Sequence, residues 1–329
     1  WFCDRCHSRN SASASRCYSC DARREEAEAP VPDAEAPAGP SAGLSARAVP
    51  YVARADWRRD VPLLLLTALV AAAMVAVLGM AVYTSFVTFW PWNLDLTLRH
   101  YRFGLAEVGV LDAYLNSLII ATLTALAGTP FIFVTAYLLD KTGRRQAWLH
   151  RAVQGMASLP VAIPGLVLGI GYILFFNHPD NPLGGLYMTL TILVIVNVVH
   201  YYTACHLTAL TALKSLDREF EAVSASLKVS RLVTFWRVTL PVCLPAVLDI
   251  SRYLFINAMT TVSALVFLYA PHTMPASVSI LNLDEAGEIG PAAAMATLIM
   301  ATTAIVSLLY AALTHYGLRR QQAWRQGLR

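Results

Sequence analysis

Six apolar runs, each near the roughly 20 residues that carry a helix across a lipid hydrocarbon layer, dominate the chain. They extend from about Pro62 to Phe86, Tyr114 to Leu139, Val153 to Phe176, Met188 to Leu213, Val242 to Leu268 and Pro291 to Tyr316. Only 14% of the 329 residues are charged and 57% are apolar, whereas a soluble domain carries about 25% charge. With no water in hydrocarbon to satisfy backbone polar groups, such runs are expected to be helical. The fold class predicted is therefore an all-α, multi-pass membrane protein with six spans. Net charge is +4 and the basic residues form no stripe suited to a nucleic-acid backbone, so no nucleic-acid partner is expected.

Basic residues orient the spans, because Lys and Arg concentrate in cytoplasmic loops. One set of flanks holds Arg54, Arg58, Arg59, Lys141, Arg144, Arg145, Arg151, Lys214, Arg218, Lys228, Arg231, Arg237, Arg319, Arg320, Arg325 and Arg329. The other holds Arg99 and Arg102, and its loop Pro271 to Gly290 carries Asp284, Glu285 and Glu288 without a Lys or Arg. Both termini are predicted inside. Trp1 in place of Met implies a truncated or processed N-terminus.

The third run contains Pro160, Pro164, Gly165, Gly169 and Gly171. Proline removes a backbone donor and bends a helix, and glycine lets backbones approach. A broken helix at membrane depth must be covered by protein or line a cavity. The expectation is pathway lining or a tight crossing, with a kinked packing helix as the plainer reading. In the fifth run Asp249 and Arg252, three apart, share a helical face. A structural ion pair near the cytoplasmic boundary is the favoured account, and a role in the pathway the alternative. Asn257 lies deeper and is placed to bond across helices. His200 and His206 differ by about 240° around a helix, so they cannot converge on a metal. They read as packing or lumen residues, and Cys205 and Cys243 as small buried apolar ones. No nucleophile–base set is placed to converge at one depth, so no catalytic residue is assigned.

Between the fourth and fifth runs lies a polar interruption, Leu213 to Pro241 (LKSLDREFEAVSASLKVSRLVTFWRVTLP). Leu216, Phe220, Val223 and Leu227 recur at helical spacing and form one apolar stripe. Asp217, Glu219 and Glu221 precede it and Lys228 and Arg231 follow, which complements a helix dipole. Ser215 or Asp217 is in position to cap the start. A second short helix is expected over about Leu232 to Thr239, stopping before Pro241. On physical grounds two readings stand: a helix lying on the membrane surface, or a docking helix for a soluble partner.

This stretch resembles the cytoplasmic loop of binding-protein-dependent ABC importer permeases. Their signature is Glu-Ala-Ala, three residues, Gly, nine residues and a hydrophobic-x-Leu-Pro ending. Anchored on Val238-Thr239-Leu240-Pro241, the family's Glu falls on Ala222, beside Glu221, its alanines on Val223 and Ser224, and its Gly on Lys228. The resemblance extends from about Leu96 to Arg325. SASLKV, PVCLPAVLDISRYLFINAMTTVSALVFLYAP and DEAGEIGPAAAMA look like the subgroup assigned to 2-aminoethylphosphonate uptake, which is close to ferric-iron permeases. The resemblance implies a permease that forms the pathway for a small solute. It also implies a cytoplasmic ATPase dimer docked on Leu216, Asp217, Glu219, Phe220, Glu221, Ala222, Val223, Leu227 and Lys228. A second permease module and an extracytoplasmic solute-binding protein complete the assembly. The chain itself has no G-x-x-x-x-G-K-[ST] match, so ATP hydrolysis is expected in the partner and none here. A reading of a different class is a membrane-anchored adaptor that recruits partners through its N-terminus.

That N-terminus carries Cys3, Cys6, Cys17 and Cys20 as C-x2-C-x10-C-x2-C. Two such knuckles suit tetrahedral zinc, whose binding would supply the folding energy of so short a module. A pair of disulfides is the alternative, disfavoured in a reducing cytosol. With Trp1 and Asn10, the module resembles a Ran-binding-protein type zinc finger. The expected organisation is a four-cysteine module over 1–22, a disordered tether over 23–58 rich in Ala, Pro, Glu and Ser, a transmembrane domain over 59–318 that includes the loop 214–241, and a tail over 319–329.

Overall fold

The computed structural model describes residues 57–104, 109–141, 147–216, 223–224 and 226–326. The cysteine module, the tether and residues 217–222 lie outside them. Helices dominate: α1 (Trp57–Phe86), α2 (Val110–Asp140), α3 (Ala147–Ala162), α4 (Gly165–Phe176), α5 (Leu190–His200), α6 (Tyr202–Lys214), α7 (Arg231–Val242), α8 (Leu244–Thr260), α9 (Ala276–Glu285) and α10 (Ile289–Gln326). A two-stranded antiparallel hairpin, β1 (Val87–Phe89) and β2 (Asn93–Leu96), follows α1.

α1, α2 and α10 are each long and apolar enough to cross a membrane. Three further pairs qualify only when taken together, and each is bent: α3 with α4 by 109°, α5 with α6 by 54°, and α7 with α8 by 72°. The described residues thus hold three straight candidate spans, or up to six if each bent pair is one. The third run is the sharpest departure from a simple crossing. Pro164 lacks an N–H and pushes Ile163 out of helical backbone, while its carbonyl restarts the chain by accepting from Val167 and Leu168 at 3.0 and 3.1 Å. Pro245 in the first turn of α8 similarly marks the α7–α8 bend.

The fifth run also differs from expectation. Its helix ends at Thr260 and not near Leu268, because Thr261 turns extended (φ −68°, ψ 130°). Residues 261–270 are irregular yet deeply placed, with Thr261, Ala264, Leu265 and Leu268 all buried. Several of their backbone groups are closed by the protein. Val262 C=O accepts from Leu265 and Val266 N–H at 3.0 Å, and the Ser277 hydroxyl donates to Thr261 C=O at 2.6 Å. The loop expected from Pro271 to Gly290 contains α9, whose first turn buries Ala276, Ser277, Val278 and Ser279. Ala276 N–H donates to Ser117 Oγ on α2 at 2.8 Å.

α8 is the central element, packed along α2 and also touching α10 and α6. Ile132, Phe133 and Ala136 of α2 meet Cys205, Ala209 and Leu213 of α6 and Ile250, Leu254 and Met259 of α8 in one cluster. Gly128 makes the crossing possible, since a Cβ there would lie 2.9 Å from both Leu254 Cδ1 and Val198 Cγ2. A second cluster joins Ile120, Ile192, Leu193 and Val196 to Ala264, Leu265 and Leu268. Hydroxyls tie the helices across the bundle: Tyr114 to Thr302 at 2.5 Å, Thr135 to Tyr202 at 2.8 Å and Ser251 to Tyr310 at 2.7 Å. Such pairs suit an apolar surround, where the alternative is an unsatisfied polar group. α1 stands apart, buries only Thr84 and Ser85, and runs along α10.

Candidate functional site

The polar interruption folds as a helical turn, a reversal and a second helix. Leu227 N–H bonds Val223 C=O and Val229 N–H bonds Ser224 C=O, both at 3.0 Å. Lys228 between them has φ +54°. A left-handed residue followed by this six-to-one bond is a Schellman helix end, with Lys228 at the position glycine usually takes. The position aligned with the family's Gly therefore keeps a left-handed turn while carrying a lysine. Ser230 then caps α7, its hydroxyl accepting from Val233 N–H at 3.4 Å. Upstream, Ser215 closes α6: its N–H bonds Thr211 C=O at 3.1 Å and its hydroxyl donates to Ala212 C=O at 2.7 Å. Ser215 thus ends one helix, and the helix start it was expected to cap lies outside the described residues.

Of the residues expected to dock a partner, Leu216 is half-buried against the core, whereas Val223 and Leu227 are 55% and 69% exposed. Asp217, Glu219, Phe220, Glu221 and Ala222 lie outside the described residues. The second helix begins at Arg231 and does not stop before Pro241, as proline rules alone predicted. It runs to Val242 because residues Phe235–Thr239 widen into a π turn, in which Leu240 N–H bonds Phe235 C=O. The altered spacing accommodates a proline that has no N–H to give. Phe235 roots this helical hairpin, the turn at 223–229 followed by α7, in the bundle, with its ring 4.7 Å from Tyr137 and 6.1 Å from Phe133. Lys141 sits over the Tyr137 ring at 5.5 Å and pairs with Asp140 at 2.7 Å.

The residues singled out deeper in the chain fall into two groups. Gly165 and Gly169 form a tight crossing: a Cβ on Gly165 would strike Ser263 Oγ and lie 3.3 Å from His200 Cε1, and one on Gly169 would lie 3.2 Å from Phe267 and 3.3 Å from Ala264 O. Pro160 lies within α3 and Pro164 at the bend. Asp249 and Arg252 make the expected ion pair, 3.1 Å and half exposed. Asn257 departs from expectation. Its amide donates to Tyr253 C=O of its own helix at 2.7 Å, so it does not bond across helices. The carbonyl of Asn257 receives the Thr261 hydroxyl at 2.6 Å, and that hydroxyl also meets Tyr201 OH at 2.5 Å. Sequence reading missed Tyr201 and Thr261, because two hydroxyls 60 residues apart leave no local pattern. His206 is buried and stacks on Tyr202 at 5.2 Å. Among the described residues no group of three metal-ligating side chains comes together, and Cys3, Cys6, Cys17 and Cys20 lie outside them.

Residues 128–315 match the family described as binding-protein-dependent transport system inner membrane component. The ferric transport system permease protein FbpB of Actinobacillus pleuropneumoniae is 33% identical over 241 residues, 71% of this chain and 34% of the relative. The putative 2-aminoethylphosphonate transport system permease protein PhnV of Salmonella paratyphi A is 27% identical over 222 residues, 66% of this chain and 81% of the relative. The chain thus spans about a third of the length of the ferric relative. Among solved structures, a bacterial ABC transporter involved in import of the acidic polysaccharide alginate has a chain similar in fold. Its TM-score is 0.64 at 17% identity, covering 79% of this chain and 97% of that one.

Replacing Lys228 with Gly is expected to stabilise the reversal by about 1 kcal/mol, since a side chain is disfavoured in left-handed backbone. Amide exchange at Val229 checks this. Faster exchange in Lys228→Gly than in the parent would contradict the assignment of this turn.

Proposed function

Because the chain belongs to the binding-protein-dependent transport system inner membrane component family, we propose that it is the permease subunit of an ATP-binding-cassette importer for a small solute. The observation that carries this reading is the family match over 128–315, which takes in the helical hairpin, α8 and most of α10. In this reading each bent pair is one span, giving six, and both termini face the cytoplasm. The protein forms the pathway with a second module, a further copy or a paralogue. An extracytoplasmic binding protein delivers the solute.

The hairpin within 214–241 receives the ATPase dimer. The exposed Val223 and Leu227 support this, since a partner groove takes an apolar helical face. Closure of the ATPases on ATP pulls the two hairpins together. Phe235, wedged against Tyr137 and Phe133, passes that movement to α2, and the 72° bend at Cys243 passes it to α8. Gly165 and Gly169 let α4 close over the irregular segment after α8, which supports their assignment to the pathway wall. The ion pair Asp249–Arg252 stays at the cytoplasmic end. Deleting residues 216–229 should abolish co-purification of the ATPase while the chain stays in the membrane. Undiminished ATPase binding by that deletion would sink the docking role.

We retain 2-aminoethylphosphonate as the solute, supported by the SASLKV and DEAGEIGPAAAMA segments and by a match covering 81% of PhnV. Ferric iron is the second reading, favoured by the higher identity to FbpB. Calorimetry of the cognate binding protein against both ligands decides between them; binding of ferric iron alone overturns the phosphonate assignment.

The N-terminal Cys3, Cys6, Cys17 and Cys20 are proposed to hold zinc, on the strength of their paired C-x2-C spacing. Purified protein should carry one zinc per chain by elemental analysis, and Cys3→Ser should lose most of it. A metal-free parent protein would refute the site.

A further inference from the structure

We infer that the outward face of α7 is a membrane-surface anchor that selects anionic lipid headgroups. α7 meets α8 at a 72° bend, so with α8 crossing the hydrocarbon, α7 runs close to the membrane plane. Its inward face is fixed by Phe235, which touches Phe133 and Tyr137. Those two residues are one turn apart on one face of α2. α7 therefore lies along the flank of α2 and not beneath its end, and its opposite face looks sideways toward lipid.

That opposite face has two parts. Leu232 and Trp236, one turn apart, are 73% and 64% exposed; Arg237 is exposed next to Trp236, and Arg231 is exposed at the start of the helix. An indole and a leucine next to guanidinium groups match the boundary layer, where apolar side chains enter the acyl region and cations meet phosphates. The charge complements such a surface. Residues 223–248 contain Lys228, Arg231 and Arg237 and no Asp or Glu, a net charge of +3. Anchoring here would hold the hairpin at a set depth, so that a pull on residues 223–227 turns α7 about Phe235 and does not drag it off the membrane. The inference rests on the membrane reading above, but not on transport or on ATPase docking.

The test uses the full chain in nanodiscs containing equal mole fractions of phosphatidylglycerol or phosphatidylcholine with brominated acyl chains. Wild-type emission minus that of Trp236→Phe isolates Trp236 among the seven tryptophans. The expected result is quenching of this component by brominated lipid, stronger for phosphatidylglycerol. Loss of both arginines (Arg231→Gln with Arg237→Gln) should weaken the lipid preference about fivefold for each arginine removed, at low salt. Circular dichroism and gel filtration confirm that the variants fold. Quenching by aqueous acrylamide but not by brominated lipid overturns the proposal, as does equal quenching by the two lipids. Shielding from both quenchers, the mark of a second protein copy on this face, overturns it too. ATPase co-purification with the double arginine variant separates the outcomes. If the parent chain also binds the ATPase while its own Trp236 shows no lipid contact, the anchor falls alone and the docking role stands.

Discussion

Everything in this bundle answers to one constraint: at membrane depth, backbone N–H and C=O groups must find partners inside the protein. Continuous helices meet it automatically. The segment after Thr260 does not, because it leaves helical geometry while remaining buried. Several of its carbonyls and amides are closed by its own turns and by Ser277, and the Thr261 hydroxyl ties its start to Asn257 C=O and Tyr201 OH. A lid is also needed, and α4 supplies it by presenting Gly165 and Gly169 where side chains would collide with Ser263 and Phe267. The 109° bend that brings α4 there depends on Pro164. Proline and glycine in the third run are thus two halves of one solution to a break in the fifth.

The hairpin shows the same economy with different chemistry. A reversal requires one residue in left-handed backbone, and Lys228 takes it at a cost glycine would avoid. The six-to-one bond at Val229 and the Ser230 cap restrain the chain on both sides, so local strain is held by local bonds. The π turn at Phe235–Thr239 makes room for Pro241 without ending the helix.

The six apolar runs were legible because length and hydropathy are properties of contiguous sequence; α1 and α2 follow them within about five residues, and α10 starts two residues early and runs ten residues past Tyr316. The ion pair Asp249–Arg252 was legible from its spacing alone. The break at Thr260 was not, since ALVFLYA is as apolar as any spanning helix, and only its contacts with α4 and α9 make an irregular path tolerable. α9 hid behind three acidic residues that read as a loop, because the burial of its first turn depends on Ser117, far away in sequence. Asn257 was misjudged for the reverse reason: a polar residue in a span has a partner in its own helix four residues back, and that nearer bond won. The family pattern located the reversal at Lys228, and the backbone then supplied what the residue type obscured.

α1 buries two small hydroxyl residues and meets the bundle along α10, near a hairpin that His100 ties back through Val87 C=O at 2.8 Å. The family match begins only at residue 128, so α1 lies wholly outside it. Structurally it is an outrigger: the α2–α6–α8 core owes it almost no packing. A lineage can therefore lengthen, shorten or replace what precedes the hairpin without disturbing the core, and sequence drift should be freest there.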